Sequence, residues 1–291
     1  MIDQAQGLRN VVKMQNQRSI AEARVLTVTS GKGGVGKSNL AVNLAVAFSR
    51  KGKKVLIFDA DFGLANVEVM FAAPPRHNLS DVIYGAMDIE EVITPGPEGI
   101  GFISGGSGII GLNNLSEDQI HYLVRSLRKL NRLCDILIVD TGAGISDQVL
   151  EFVIASPEIL LVTTPEPSSI TDSYSMLKAL YRNKEYDPAE SRIKLIANKV
   201  STKEEAAAVY EKLSSVTSKF LGGNIEYLGM IPQDPLLEKA VRAQKVVSIE
   251  VPHAKASRAF EDITEKLDSS ERKNTVSFGI SRFFSSFINR A

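Results

Sequence analysis

Six short runs along the chain are apolar at nearly every position: VLTVTS (25–30), KVLIFD (54–59), DILIVD (135–140), EILLVTT (158–164), IKLIAN (193–198) and EYLGMI (226–231). Strands with one wet face alternate apolar and polar residues, whereas strands covered on both faces do not. Between these runs the pattern takes the helical period. Leu40, Leu44, Ala47 and Phe48 share a face between Ser38 and Arg50, and Ile120, Leu123, Leu127 and Leu130 do so between Asp118 and Leu133. Buried strands alternating with amphipathic helices predict an α/β fold, a doubly wound and mostly parallel sheet with helices on both faces. No internal repeat is visible.

The pattern fails at both ends, which predicts three parts: a flexible N-terminal segment (1–24), a core domain (25–268), and a polar linker with a terminal helix (269–291). The linker reads DSSERKNT and the last stretch VSFGISRFFSSFINRA. At helical spacing Val276, Ile280, Phe283, Phe284, Phe287 and Ile288 fall within an arc of about 140°. Serines and Arg282 occupy the other side, with Phe278 the exception, and from Glu271 onward there are four basic residues and one acid. A short, Phe-rich, mildly basic helix has the chemistry of a membrane-surface helix. The alternative is a last helix docked on the protein's own core.

Charge and cysteine content narrow the choice. Lys plus Arg and Asp plus Glu each number 34, so no cationic excess exists to coat nucleic acid. The one cysteine, Cys134, can form no disulfide within the chain and no thiolate cluster, and it reads as a small buried hydrophobe. No apolar run reaches the ~18 residues of a membrane span, and the start lacks a signal-peptide core. These readings predict a cytoplasmic protein.

The strongest chemical signal is SGKGGVGKS, directly after the first strand run and before a helix pattern. Gly31, Gly36, Lys37 and Ser38 fit G-x-x-x-x-G-K-[ST]. Glycines let such a loop fold tightly and aim N–H groups at a polyphosphate, and the following helix N-terminus adds positive potential. Lys37 would sit on the β- and γ-phosphates, and the Ser38 hydroxyl would ligate Mg²⁺. Gly33, Gly34, Val35 and Asn39 complete the loop. Two later strand runs end on acids: Asp59, with Asp61 two residues on, and Asp140, followed by Gly142 and Gly144. Ligands of parallel sheets bind at those strand ends.

The extra lysine, Lys32, makes the loop K-G-G-x-G-K-[ST], which resembles the deviant Walker A loop of the MinD/ParA class of ATPases. The resemblance implies an ATP-dependent homodimer in which Lys32 reaches the nucleotide of the partner subunit. It also assigns roles to the acids, which resemble the switch motifs D-x-D-x-x-x-x-N and D-x-x-x-G. Asp61 would orient the attacking water, and Asp59 and Asp140 would hold Mg²⁺, largely through waters. Asn198, in IANKV, would contact adenine, with Pro232 and Asp234 of MIPQDP on a second base-side loop. Relatives with iron–sulfur clusters carry paired cysteines, so that branch is excluded.

The N-terminal segment separates this chain further. Asp3-Gln4-Ala5-Gln6-Gly7-Leu8-Arg9 fits D-Q-A-x-x-L-R, a hallmark of the FlhG (FleN, YlxH) family of flagellar number and placement regulators. Ile2, Ala5 and Leu8 would share one helical face, although Gly7 lowers helix propensity by ~1 kcal/mol relative to Ala. The resemblance implies that this segment folds on an FlhF-type GTPase and stimulates it, with Asp3, Gln4, Leu8 and Arg9 as the activating residues. It implies a slow, Mg-dependent ATPase, peripheral at the cytoplasmic membrane as the ATP-bound dimer. Flagellar switch or basal-body proteins and a flagellar transcription regulator are further partners it allows, and no direct nucleic-acid partner is expected. Three rival readings stay open: a MinD-like division-site regulator, a ParA-type DNA segregation ATPase, and a scaffold that binds nucleotide without hydrolysing it.

Overall fold

A computed structural model of the chain describes residues 22–61, 66–85, 87–106, 117–271, 279, 280 and 283. Eight strands form one sheet: β1 (Arg24–Thr29), β2 (Val55–Ala60), β3 (Thr94–Pro95), β4 (Gly101–Ser104), β5 (Ile136–Thr141), β6 (Glu158–Thr163), β7 (Arg192–Val200) and β8 (Glu226–Pro232). Their spatial order is β3-β4-β2-β5-β1-β6-β7-β8, and every pairing is parallel except β3 with β4. The six runs read from sequence are all strands. The pair β3 and β4 is additional, and Gly101 opens β4 because a Cβ there would lie 2.5 Å from Leu56.

The helices that matter most are α1 (Lys37–Arg50), α2 (Asn66–Phe71), α3 (Leu79–Gly85), α4 (Glu117–Arg128), α5 (Asp147–Ala155), α6 (Pro167–Arg182), α7 (Lys203–Leu221), α8 (Pro235–Arg242), α9 (Val247–Glu250) and α10 (Lys255–Glu271). They cover both faces of the sheet, which is why its strands are apolar throughout. Val25 and Leu26 are both fully buried yet belong to opposite faces. Leu26 packs with Leu40 and Leu44 of α1 and Phe260 and Ile263 of α10. Val25 packs with Leu123 and Leu127 of α4 and Phe152 of α5. A third cluster joins β6 and β7 to Leu177 of α6 and Leu213 of α7.

Three expectations change. The helix expected from Asp118 to Leu133 ends at Arg128, and Lys129–Arg132 tightens into a 3₁₀ turn. The polar linker expected from 269 is helical as far as Glu271, as the last turn of α10. The expected membrane face is divided. Ile280 and Phe283 are buried, 0% and 1% exposed, in the protein's own core. Phe283 stacks on Phe152 at 6.3 Å between ring centroids, Gly279 pairs with Arg24, and the Ile280 N–H donates to the Ala23 carbonyl at 3.3 Å. The apolar cluster of Val25, Leu127 and Phe152 offers these side chains the same escape from water that a lipid surface would. Val276, Phe284, Phe287 and Ile288 lie outside the described residues, as do Asp3, Gln4, Leu8 and Arg9. Among the described residues no helix is long and apolar enough to cross a membrane.

The end of the sheet away from the phosphate loop is tied by a buried ionic network. Glu158 accepts from Arg24 Nε at 2.6 Å and Nη2 at 2.8 Å, and from Lys194 Nζ at 2.6 Å, while Arg24 Nη1 donates to the Leu267 carbonyl at 3.0 Å. Burial alone would raise the Glu158 carboxyl, but the two cations outweigh it and hold it below the usual carboxylate range. A depressed carboxyl adds stability that is present above its unfolded pKa and lost as pH falls through the folded value. Removing one member of a buried pair costs about 3–5 kcal/mol, against about 0–1 kcal/mol for an exposed pair. Thermal unfolding should therefore show a far larger loss for Glu158→Ala than for Lys245→Ala, whose pair with Glu250 is exposed. The Glu158→Ala deficit should shrink on acidification below about pH 4.

Candidate nucleotide-binding site

The loop from Ser30 to Lys37 joins β1 to α1 at the carboxyl end of the sheet. Gly34 (φ +75) and Gly36 (φ +101) take the left-handed backbone that favours glycine. Gly36 is also the N-cap of α1, and neither a side-chain cap nor an acid covers the first turn. The orphan N–H groups of that 14-residue helix are thus left for an anion. Gly31 answers to packing, since a Cβ there would lie 2.1 Å from the Asp172 carbonyl of α6.

The acids meet beneath this loop. Asp59 and Asp140 are register partners on the adjacent strands β2 and β5, 3% and 0% exposed. Burial, reinforced by Asp140, pushes the Asp59 carboxyl up to about 8. Burial likewise raises Asp140 to about 6, against the Ser38 hydroxyl and Lys37. The Lys37 ammonium is lowered by burial, and Asp140 and Asp61 oppose the shift. Asp61 follows β2. It accepts from Asn66 Nδ2 at 3.2 Å, and its own N–H donates to Asp59 Oδ1 at 3.2 Å, with Val67 N–H on Asp59 Oδ2 at 3.2 Å. Across the site, Gly142 lies against the Asp61 carboxyl, where a Cβ would stand 3.6 Å from Oδ1.

This chemistry fits a hard divalent cation. Neither carboxylate oxygen of Asp140 has a well-formed hydrogen bond, although both are buried and the Ser38 hydroxyl is near enough to favour the charged form. Among the described residues no three His, Cys, Asp or Glu groups converge into an all-protein cage. Mg²⁺ is commonly held by one or two protein oxygens together with phosphates and water, which is the arrangement these residues allow.

Other candidates are placed differently from expectation. Asn198 is buried, and its amide donates to the Val35 carbonyl at 2.7 Å while Oδ1 accepts the Lys199 N–H at 2.8 Å. It therefore holds the phosphate loop rather than projecting freely toward a base. Asp234 caps α8 through Oδ1 on Leu236 N–H at 2.9 Å, and Oδ2 accepts the Ala256 N–H of α10 at 3.0 Å. Both its oxygens serve helix ends, so its first role is structural. Pro232 closes β8 beside Val200. Lys32 lies at the rim, where its ammonium contacts Glu166 at 2.9 Å and Ser168 Oγ at 2.7 Å at the start of α6. Glu166 and Ser168 were missed from sequence; the available signal was the polar TPEPSS directly after a parallel strand.

A model of the CobQ/CobB/MinD/ParA nucleotide binding domain matches residues 26–247. The antiactivator FleN of Pseudomonas aeruginosa is 40% identical over 256 residues, covering 88% of this chain and 90% of that protein. The flagellum site-determining protein YlxH of Helicobacter pylori is 36% identical over 275 residues, covering 92% and 91%. The chain belongs to the MinD/ParA family, on its FlhG-type (FleN/YlxH) branch. Among solved structures, the septum site-determining protein MinD of Pyrococcus horikoshii, complexed with Mg-ADP, shares the fold with a TM-score of 0.67 at 23% identity, over 87% of this chain and 100% of that one. Its family membership makes this protein a nucleotide-binding ATPase.

The raised acids give the ATPase a pH signature. A carboxyl raised in the folded state contributes stability present below its unfolded pKa, and that stability is lost as pH rises through the folded value. The nucleotide- and metal-free protein should therefore lose stability as pH rises from about 4, with the Asp140 share complete near pH 6 and the Asp59 share continuing to about pH 8. Asp59→Asn removes the upper part of that slope. Melting curves from pH 6 to 8.5 should show the variant overtaking wild type at the alkaline end; parallel curves would mean that Asp59 is not held protonated.

Proposed function

We propose that this chain is an ATP-driven switch that sets flagellar number or placement. ATP with Mg²⁺ binds on the loop from Gly31 to Asn39, and Ser38, Asp59 and Asp140 hold the metal, directly or through water. Mg²⁺ supplies neutralisation of charge on the β- and γ-phosphate oxygens. Lys37 sits on the same phosphates, and Asp61, which Asn66 holds in place, orients the attacking water.

The observation that carries the switch is the position of Lys32. It faces outward from the loop and is paired with Glu166 and Ser168 of its own subunit. Exchange of that exposed pair for a partner subunit's phosphates would offset much of the repulsion between two nucleotide-loaded faces. In the resulting homodimer the terminal helix leaves its cleft for the membrane. Exposing Ile280 and Phe283 costs about 1.5–3 kcal/mol each, which insertion of the Phe-rich face offsets. Two weak helices on one dimer then bind by avidity. Residues 1–24 act on an FlhF-type GTPase, and the kinship with FleN and YlxH supports a flagellar setting.

Two experiments test this. Asp61→Ala should lower ATP turnover by about 10²-fold and accumulate an ATP-bound dimer on liposomes; a monomer in the presence of ATP would refute the switch. A peptide of residues 1–24 should accelerate GTP turnover by purified FlhF, and a Gln4→Ala peptide should do so less. Equal rates with and without peptide would remove the GTPase-activating role.

A further inference from the structure

The carboxyl end of β7 meets the phosphate loop through two consecutive side chains. Asn198 Nδ2 donates to the Val35 carbonyl at 2.7 Å, and Lys199 Nζ donates to the Gly34 carbonyl at 2.9 Å. In a regular strand, neighbouring side chains point to opposite faces. Here the alternation is broken. Lys199 adopts φ +57, and the pairing of β7 with β8 shifts register between Asn198 and Val200. A non-glycine residue holds this backbone only where its surroundings fix it, and irregular strand ends of this kind re-aim side chains beside active sites. The Lys199 backbone N–H on Asn198 Oδ1, at 2.8 Å, fixes the Asn198 side chain against the Lys199 backbone.

Peptide planarity gives the contact its meaning. Within one peptide group the C=O and the next N–H point in opposite directions. A Gly34 carbonyl drawn onto Lys199 turns the Val35 N–H the other way. A Val35 carbonyl drawn onto Asn198 does the same for the Gly36 N–H. We propose that Lys199, together with Asn198, is a positioning residue of the ATPase: it holds two carbonyls of the phosphate loop turned away so that the Val35 and Gly36 N–H groups are aimed at the nucleotide's polyphosphate before it arrives. Lys199 is exposed, so the clamp adds little to the stability of the fold. Its effect falls on binding, because an unclamped loop must be ordered when the phosphates bind. This rests on the loop being the nucleotide site.

The test is calorimetric titration of the nucleotide-free full-length protein with ADP, ATP and inorganic tripolyphosphate, each with Mg²⁺. Lys199→Met should weaken all three by a similar factor, about tenfold, with an unchanged melting temperature for the free protein. Lys199→Arg should retain most of the affinity. Lys199→Gly should melt higher than wild type, since glycine accepts the left-handed backbone, and still bind weakly; this separates the ammonium from the backbone. Wild-type affinity in Lys199→Met overturns the clamp. So does a loss confined to ADP and ATP with tripolyphosphate unaffected, which would place the ammonium on the base or ribose. A wild-type protein that binds none of the three would refute the nucleotide site itself, along with the clamp.

Discussion

Asp59 and Asp140 stand side by side on adjacent strands, buried, with Asp61 just beyond and one buried lysine as their nearest cation. Two buried carboxyls side by side are costly to charge, and burial raises both, Asp59 to about 8 and Asp140 to about 6, so that Asp59 is the one that keeps its proton near neutral pH. The remainder of the site is arranged around that imbalance. The uncapped N-terminus of α1 and the loop N–H groups face the same space from above, so a polyphosphate and a divalent cation entering together neutralise one another and both walls. The fold thus stores an electrostatic demand that a polyphosphate and a divalent cation would jointly meet.

The same logic extends outward. Lys32 is held by Glu166 and Ser168 in an exposed contact of low strength, so little would be lost if it were exchanged for another partner. Ile280 and Phe283 are held by apolar burial, whose strength a membrane can match. By contrast, Arg24, Glu158 and Lys194 form a buried network at the opposite end of the sheet from the loop, where Arg24 also pairs with Gly279.

Much of this was legible in the sequence. Unbroken apolar runs can only be doubly covered strands, and the spacing from Gly31 to Ser38 fixes both the turn and the helix start. The acids at 59, 61 and 140 were legible because parallel strands deliver their ends to one edge. What escaped detection depends on contacts distant in the chain. Asn198 was a candidate from sequence, but its contact with the loop was not, and it and Lys199 reach that loop across 163 and 165 residues, while Glu166 reaches Lys32 across 134. No local pattern announces such a meeting. The strands β3 and β4 are too short, at two and four residues, to show a period. The tail illustrates a different limit: amphipathic spacing reports that a face avoids water, and it cannot say whether protein or lipid covers it.

The central claim, that buried Asp59 waits protonated for a cation, has a direct measure in proton release. Preformed Mg·ATP would be titrated into wild type and into Asp59→Asn at pH 7.5, in two buffers of different ionisation enthalpy. The buffer dependence of the heat counts protons exchanged. The account predicts that wild type releases more protons than the variant. Equal proton exchange by the two proteins would contradict it.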